Sequence, residues 1–140
     1  MIPDSDLLEI KQHEGRDYKP LVDFEAWRVA LMNFDKKMSF SGLKPLERHN
    51  ATDEVFVLLE GTAVLLLAGR DEKPAPQLHS VRMQPNTLYN VRKAVWHGLL
   101  MSRDCKTLIV ENVNTNDSNS ETSPISTEQR QSIAAFHNEF

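Results

Sequence analysis

The chain has 140 residues, the usual size of one domain and enough to bury a core without disulfide or metal staples. Apolar residues make up 40% of it, which excludes a disordered chain. The formal net charge is −4, and Arg70, Lys73, Arg82, Arg92 and Lys93 alternate with acids and apolar stretches. That arrangement excludes the one-sided basic surface of a nucleic-acid binder.

The longest apolar run, 63–68, is too short to cross a bilayer, so no membrane partner is expected. Residues 1–6 lack the basic n-region and apolar core of a signal peptide. Cys105 is the single cysteine, so no internal disulfide can form. A reducing, cytoplasmic setting follows, with Cys105 expected to be a bland buried thiol.

Taken in chain order, the first twenty residues are too mixed to predict an element. From 27 to 34 large apolar residues recur at every second position, the period of a strand. Leu46–His49 is expected to end one strand, with Glu47 and His49 on one face, and Glu54 to open the next, with Glu54, Phe56 and Leu58 on one face. The four residues between them then bring His49 and Glu54 side by side at the mouth of a barrel. Glu60-Gly61-Thr62, set between two Val- and Leu-rich runs, reads as the turn of a hairpin. Residues 70–77 hold two prolines and four charges and form an exposed loop.

Further strands are expected at 78–83, 88–91, 95–102 and 107–112. His97, Leu99 and Met101 share a face of the third of these. Short strands at about ten-residue spacing predict an all-β sandwich or barrel with a core over roughly 22–112, and leave no room for crossover helices. Residues 113–123 are rich in Asn, Ser and Thr and read as a polar linker. Ser126 and Gln129 have capping-box spacing, which predicts a short helix over about 126–137 that buries Ile133 and Phe136.

Two imidazoles and a carboxylate converging from three strands, His49, His97 and Glu54, make a ligand inventory for a borderline divalent ion. The same residues read equally as a hydrogen-bonded cluster closing the barrel mouth. Glu47 is either a surface carboxylate or a further ligand. Phe56 and Met101 line the barrel and shape a pocket. Tyr89 and Trp96 either stack a ligand or fill the core. His79 is expected on the outside, and His13 and His137 carry no argument.

The segment His49-x4-Glu54-x6-Gly61 resembles the first motif of the cupin superfamily, and Trp96-His97-Gly98 resembles the core of its second. Glu47 stands where the family has a first histidine, and Asn86 and Ala94 stand at glycine positions of the second motif. The resemblance implies a small single-domain double-stranded β-helix, or jelly-roll barrel, and a homodimer. It also implies that His49, Glu54 and His97 hold a metal, with Glu47 as the candidate fourth ligand. Zn, Mn, Fe or Ni would suit such donors. Glu54 and His49 are then the candidate catalytic groups for isomerase, lyase or oxygenase chemistry on a small polar metabolite. A ligand-binding or sensing domain without metal or turnover is the alternative, and a bare oligomerisation scaffold is the third reading.

Overall fold

The computed structural model describes residues 6–140, and residues 1–5, where the N-terminal reading above begins, lie outside them. Ten strands follow in order: β1 (Asp17–Phe24), β2 (Trp27–Asn33), β3 (Leu46–His49), β4 (Glu54–Glu60), β5 (Ala63–Leu67), β6 (His79–Arg82), β7 (Tyr89–Val91), β8 (His97–Met101), β9 (Lys106–Asn112) and β10 (Ser120–Ser123). They form two five-stranded sheets, ordered β1-β2-β9-β4-β7 and β10-β3-β8-β5-β6. Every named strand pair is antiparallel. The architecture is the all-β jelly roll expected. No helix among the described residues is long and apolar enough to cross a membrane.

The two sheets bury their facing sides on Ala30, Met32, Phe56, Leu58, Leu99, Met101 and Ile109. This shows as alternation of buried and half-buried residues along β9 and over the first five residues of β4. β5 and β8 are buried almost continuously, because the second sheet is covered on its other side as well. There Val64, Leu66, Leu100 and Trp96 pack under Phe40, Leu43 and Ile133. Burial on both faces is why 63–67 reads as an unbroken apolar run.

Three expectations are corrected. Gly61 does turn the chain at φ +72°, but β4 and β5 lie in different sheets, so the turn is a corner between layers and not a hairpin. A Cβ on Gly61 would sit 2.7 Å from Cys105 Cα, so the corner also needs glycine for space. The polar segment 113–123 is no mere linker: its end forms β10, which pairs with β3 along Ser120↔His49 to Ser123↔Leu46. Finally, the first half of β1 lies in the stretch left unassigned, and the first strand begins at Asp17.

The capping box is present, with Ser126 accepting from Gln129 N–H and the Gln129 side chain accepting from Ser126 N–H. Helix α1 (Thr127–Ser132) is shorter than expected. Ile133 leaves helical geometry and a 3-10 turn, Ala134–Phe136, completes the segment. Ile133 is buried, as predicted, and Phe136 packs half-buried against the same cluster.

Candidate functional site

Strands β3, β4, β8 and β9 converge at one end of the barrel, and each aims a polar side chain inward there. His49 ends β3, Glu54 opens β4, and His97 opens β8 opposite Glu47 of β3. The intervening corner is fixed by backbone: Ala94 N–H donates to His49 O at 2.8 Å, and Asn50 N–H to Asn119 O at 2.8 Å. His49 Nε2 lies 3.0 Å from Glu54 Oε2, and His97 Nε2 lies 3.1 Å from the same oxygen. Glu47 Oε1 stands 4.0 Å from His97 Nε2. The two imidazole rings pack edge-on at 5.4 Å, and Phe56 packs edge-on against His97 at 6.0 Å.

The far nitrogen of each ring determines what the near one offers. His97 Nδ1 lies 2.9 Å from Val95 O, and a carbonyl only accepts, so Nδ1 carries a hydrogen. His49 Nδ1 lies 2.8 Å from Ser120 Oγ, whose own hydroxyl donates to Asn119 Oδ1 at 3.3 Å. Ser120 therefore accepts from His49. Both Nε2 atoms are left as lone pairs or as sites for a second proton, and both face one carboxylate oxygen. A positive charge, proton or metal ion, belongs between them.

Glu54 and His97 are almost fully enclosed. Burial alone would raise the Glu54 carboxyl, but the imidazoles of His49 and His97 overcome it and hold the group down at about 2. Burial likewise opposes charge on both histidines. The Glu54 carboxylate prevails, with Glu47 assisting, and both are shifted above their ordinary value.

Ring nitrogens and carboxylate are at ion-pair distance, and with the ring hydrogen on Nδ1 no Nε2 donates to the carboxylate: Glu54 Oε2 and His97 Nε2 are both buried without a hydrogen-bond partner. Donors bound at about 2.1 Å from one ion and at right angles stand about 3 Å apart. A spacing of 3.0 to 3.1 Å is also that of an N–H···O hydrogen bond, so a metal ion and a shared proton both fit it. Glu47, His49 and His97 present ligand atoms within 4.8 Å of one another, and so do His49, Glu54 and Glu111. Two imidazoles with carboxylates suit a first-row divalent ion.

The cluster opens into a cavity of about 370 Å³. One wall is β9 and β1, where buried Glu111 accepts a 2.5 Å hydrogen bond from Tyr18 Oη. Burial first, then the charge of Glu54, pushes the Glu111 carboxyl up. The opposite wall comes from the polar C-terminal stretch: Thr115, Asn116, Asp117, Ser120 and Thr122.

Sequence reasoning missed Glu111, Tyr18 and Ser120. The alternation along β9 puts Glu111 inward with Ile109, and that signal was readable; nothing local marked β1 or β10. His13, set aside as a terminal residue, is buried with Nε2 at 2.9 Å from Asp17 O.

Of the other residues singled out, Glu47 lines the cavity with Lys44 at 3.6 Å. Phe56 lines it too. Trp96 does not: it is buried in the outer layer, donates from Nε1 to Asp71 O and carries Arg48 on its ring. Its place before His97 in an alternating strand turns it to the opposite face. Met101 is fully buried at the inner core and borders a separate depression lined by Arg16, Lys36 and Arg103. Tyr89 packs partly against the inner core, and its Oη accepts from Gln84 N–H. Neither Met101 nor Tyr89 lines the cavity, and of the two histidines His49 lines it while buried His97 does not. Exposed His79 is outside, as expected.

No family model matches the amino-acid sequence, and no characterised protein is detectably similar to it. Solved structures are similar in fold. Pac13 from Streptomyces, a nucleoside dehydratase solved with uridine, superposes with a TM-score of 0.58 at 8% identity, over 84% of this chain and 87% of its own. KdgF from Halomonas sp. gives 0.51 at 13% identity, over 72% and 81%. Both are cupins, and the chain has the cupin fold.

Proposed function

We propose that this cupin-fold barrel binds a divalent transition metal through His49, Glu54 and His97, with Glu47 as the fourth donor, and acts with it on a small polar metabolite. The observation that carries the reading is the pair of orphaned buried atoms, Glu54 Oε2 and His97 Nε2, about 3 Å apart with His49 Nε2 alongside. An ion held there would supply Lewis acidity or an acidified water. Ser120 and the Val95 carbonyl orient the two rings. Phe56 shields the cluster from bulk water beneath. Glu47, half-exposed and loosely paired with Lys44, is the carboxylate free to accept a proton if it is not a ligand.

Elemental analysis of untagged protein, purified without chelator, is the test. A near-stoichiometric metal is expected, lost in His49→Ala and His97→Ala. A metal-free protein whose histidine variants behave identically overturns the reading.

A second reading is favoured by the raised imidazoles. With a second proton each, His49 and His97 form an ion cluster with Glu54, and the pocket binds its ligand without metal or turnover. Thermal shifts by small hydroxylated compounds in chelated protein would support it.

The expected homodimer belongs to the same proposal. Exposed Phe24 and Trp27 pack together at 6.0 Å on the outer side of the first sheet, beside half-buried Val29, Val55 and Val110. Light scattering would read the mass of the dimer directly. The reducing cytoplasm, inferred from the single cysteine, completes the setting.

A further inference from the structure

The cavity beside the histidine cluster has a mostly polar lining in which carboxylates are prominent. Glu47, Glu54 and Glu111 reach it from three strands, and Glu54 and Glu111 are 5% and 7% exposed. Three cations also border it, and each is already engaged. Arg28 holds Asp23 through Nε at 2.9 Å and a second nitrogen at 3.3 Å. Lys37 is paired with Asp17, and Lys44 with Glu47 at 3.6 Å.

Among the described residues each cation on the lining already has a carboxylate partner; Lys44 offsets Glu47, and Glu111 is left with no cation paired to it. A carboxylate or phosphate entering this space would be repelled by Glu111 at short range. A hydroxyl would be welcomed, because it can donate to a carboxylate that has one oxygen in use and one to spare. Glu111 Oε1 is taken by Tyr18 Oη, while no hydrogen bond to Oε2 is found among the described residues. Its ligand atom lies within 4.8 Å of those of His49 and Glu54, so one small molecule can touch both Glu111 and the cluster.

We propose that the ligand of this pocket is a neutral, hydroxyl-bearing molecule of the polyol or sugar class, gripped by Glu111 through donated hydroxyl hydrogen bonds, and that its acid counterparts are rejected. The inference deepens the proposed function and rests on this cavity being the binding site for a small metabolite.

The test uses matched pairs, galactose with galacturonate and ribitol with ribonate, titrated by calorimetry into Mn²⁺-loaded and into chelated protein. The neutral member of each pair is expected to bind at least about tenfold more tightly than the acid. Glu111→Leu should remove that binding; its Mn²⁺ affinity and thermal melt are measured alongside, the melt being expected to fall because Tyr18 Oη loses its acceptor. Glu111→Gln, which keeps the shape and one acceptor oxygen, guards against misfolding and should weaken neutral binding several-fold.

Acids binding as well as the neutral compounds, wild-type affinity in either variant, or no binding by any member would each overturn the inference. Mn²⁺ uptake without sugar binding would sink it alone and leave the metal reading intact. Neutral binding to a protein that takes up no Mn²⁺ would sink the metal reading and uphold this one.

Discussion

Ser120 Oγ stands 2.8 Å from His49 Nδ1 and is itself tied to Asn119 Oδ1. One hydroxyl thus sets both the orientation and the tautomer of a ring whose other nitrogen faces Glu54. Partners of this kind typically contribute 10- to about 100-fold in metal affinity. Ser120→Ala should accordingly weaken metal binding by about that factor, measured by competition with a chromophoric chelator, while Ser120→Thr retains most of it. Unchanged affinity in Ser120→Ala would remove Ser120 from the site.

In metal-free protein the cluster ties stability to pH in two directions. His49 and His97 are raised above 6.5 in the fold, so their contribution is complete below 6.5 and is lost as pH climbs through their folded values. Glu54 is lowered from 4.5 to about 2, so its contribution is complete above 4.5 and fades as pH falls towards 2. Chelated protein should melt highest between about 4.5 and 6.5. Glu54→Gln should flatten the profile on both sides and lower its maximum, read from thermal melts across the pH range.

Ala94 lies at φ +67°, in left-handed space that costs a residue with a Cβ roughly 1 kcal/mol. It stands where the cupin motif has glycine, and its N–H holds the carbonyl of His49. Ala94→Gly relieves that strain without touching the bond. A gain of up to about 1 kcal/mol is expected in urea unfolding, offset in part by unfolded-state entropy. A loss would show that the Ala94 methyl contributes packing that outweighs the relief.

Cys105 is buried beside the Gly61 corner, and burial, with the nearby Asp104 charge, pushes its thiol up to about 12. A disulfide reagent at mildly alkaline pH should leave native protein unlabelled and modify one thiol after denaturation. Rapid labelling of the folded protein would mean that the corner opens readily.

Period-two alternation made β2, β4 and β9 legible, because each has one face in the core and one towards solvent. The spacing from His49 to Glu54 was legible for the same reason: four residues span a corner whichever sheets it joins. What the spacing does not encode is strand partnership. Glu60-Gly61-Thr62 reads alike as a hairpin turn or as a crossing between layers, and the deciding contact, Cys105, is more than forty residues away.

The walls of the pocket were illegible on different grounds. β10 is Ser-Glu-Thr-Ser, an edge strand with almost nothing to bury, held by backbone pairing to β3. Of the two readings open for Trp96, stacking a ligand or filling the core, the structure shows the core, because the residue next to His97 along the chain is turned to the opposite face.

The Asn119–Ser120 pair also ties assembly of the pocket to the order of synthesis. His49 and Glu54 leave the ribosome early, but the hydroxyl that orients His49 follows some seventy residues later. A nascent or truncated chain ending at Asn112 would carry both histidines and Glu54 without Ser120 or the wall beyond it. The oriented form of the His49 ring therefore has to await synthesis of the chain through Ser120.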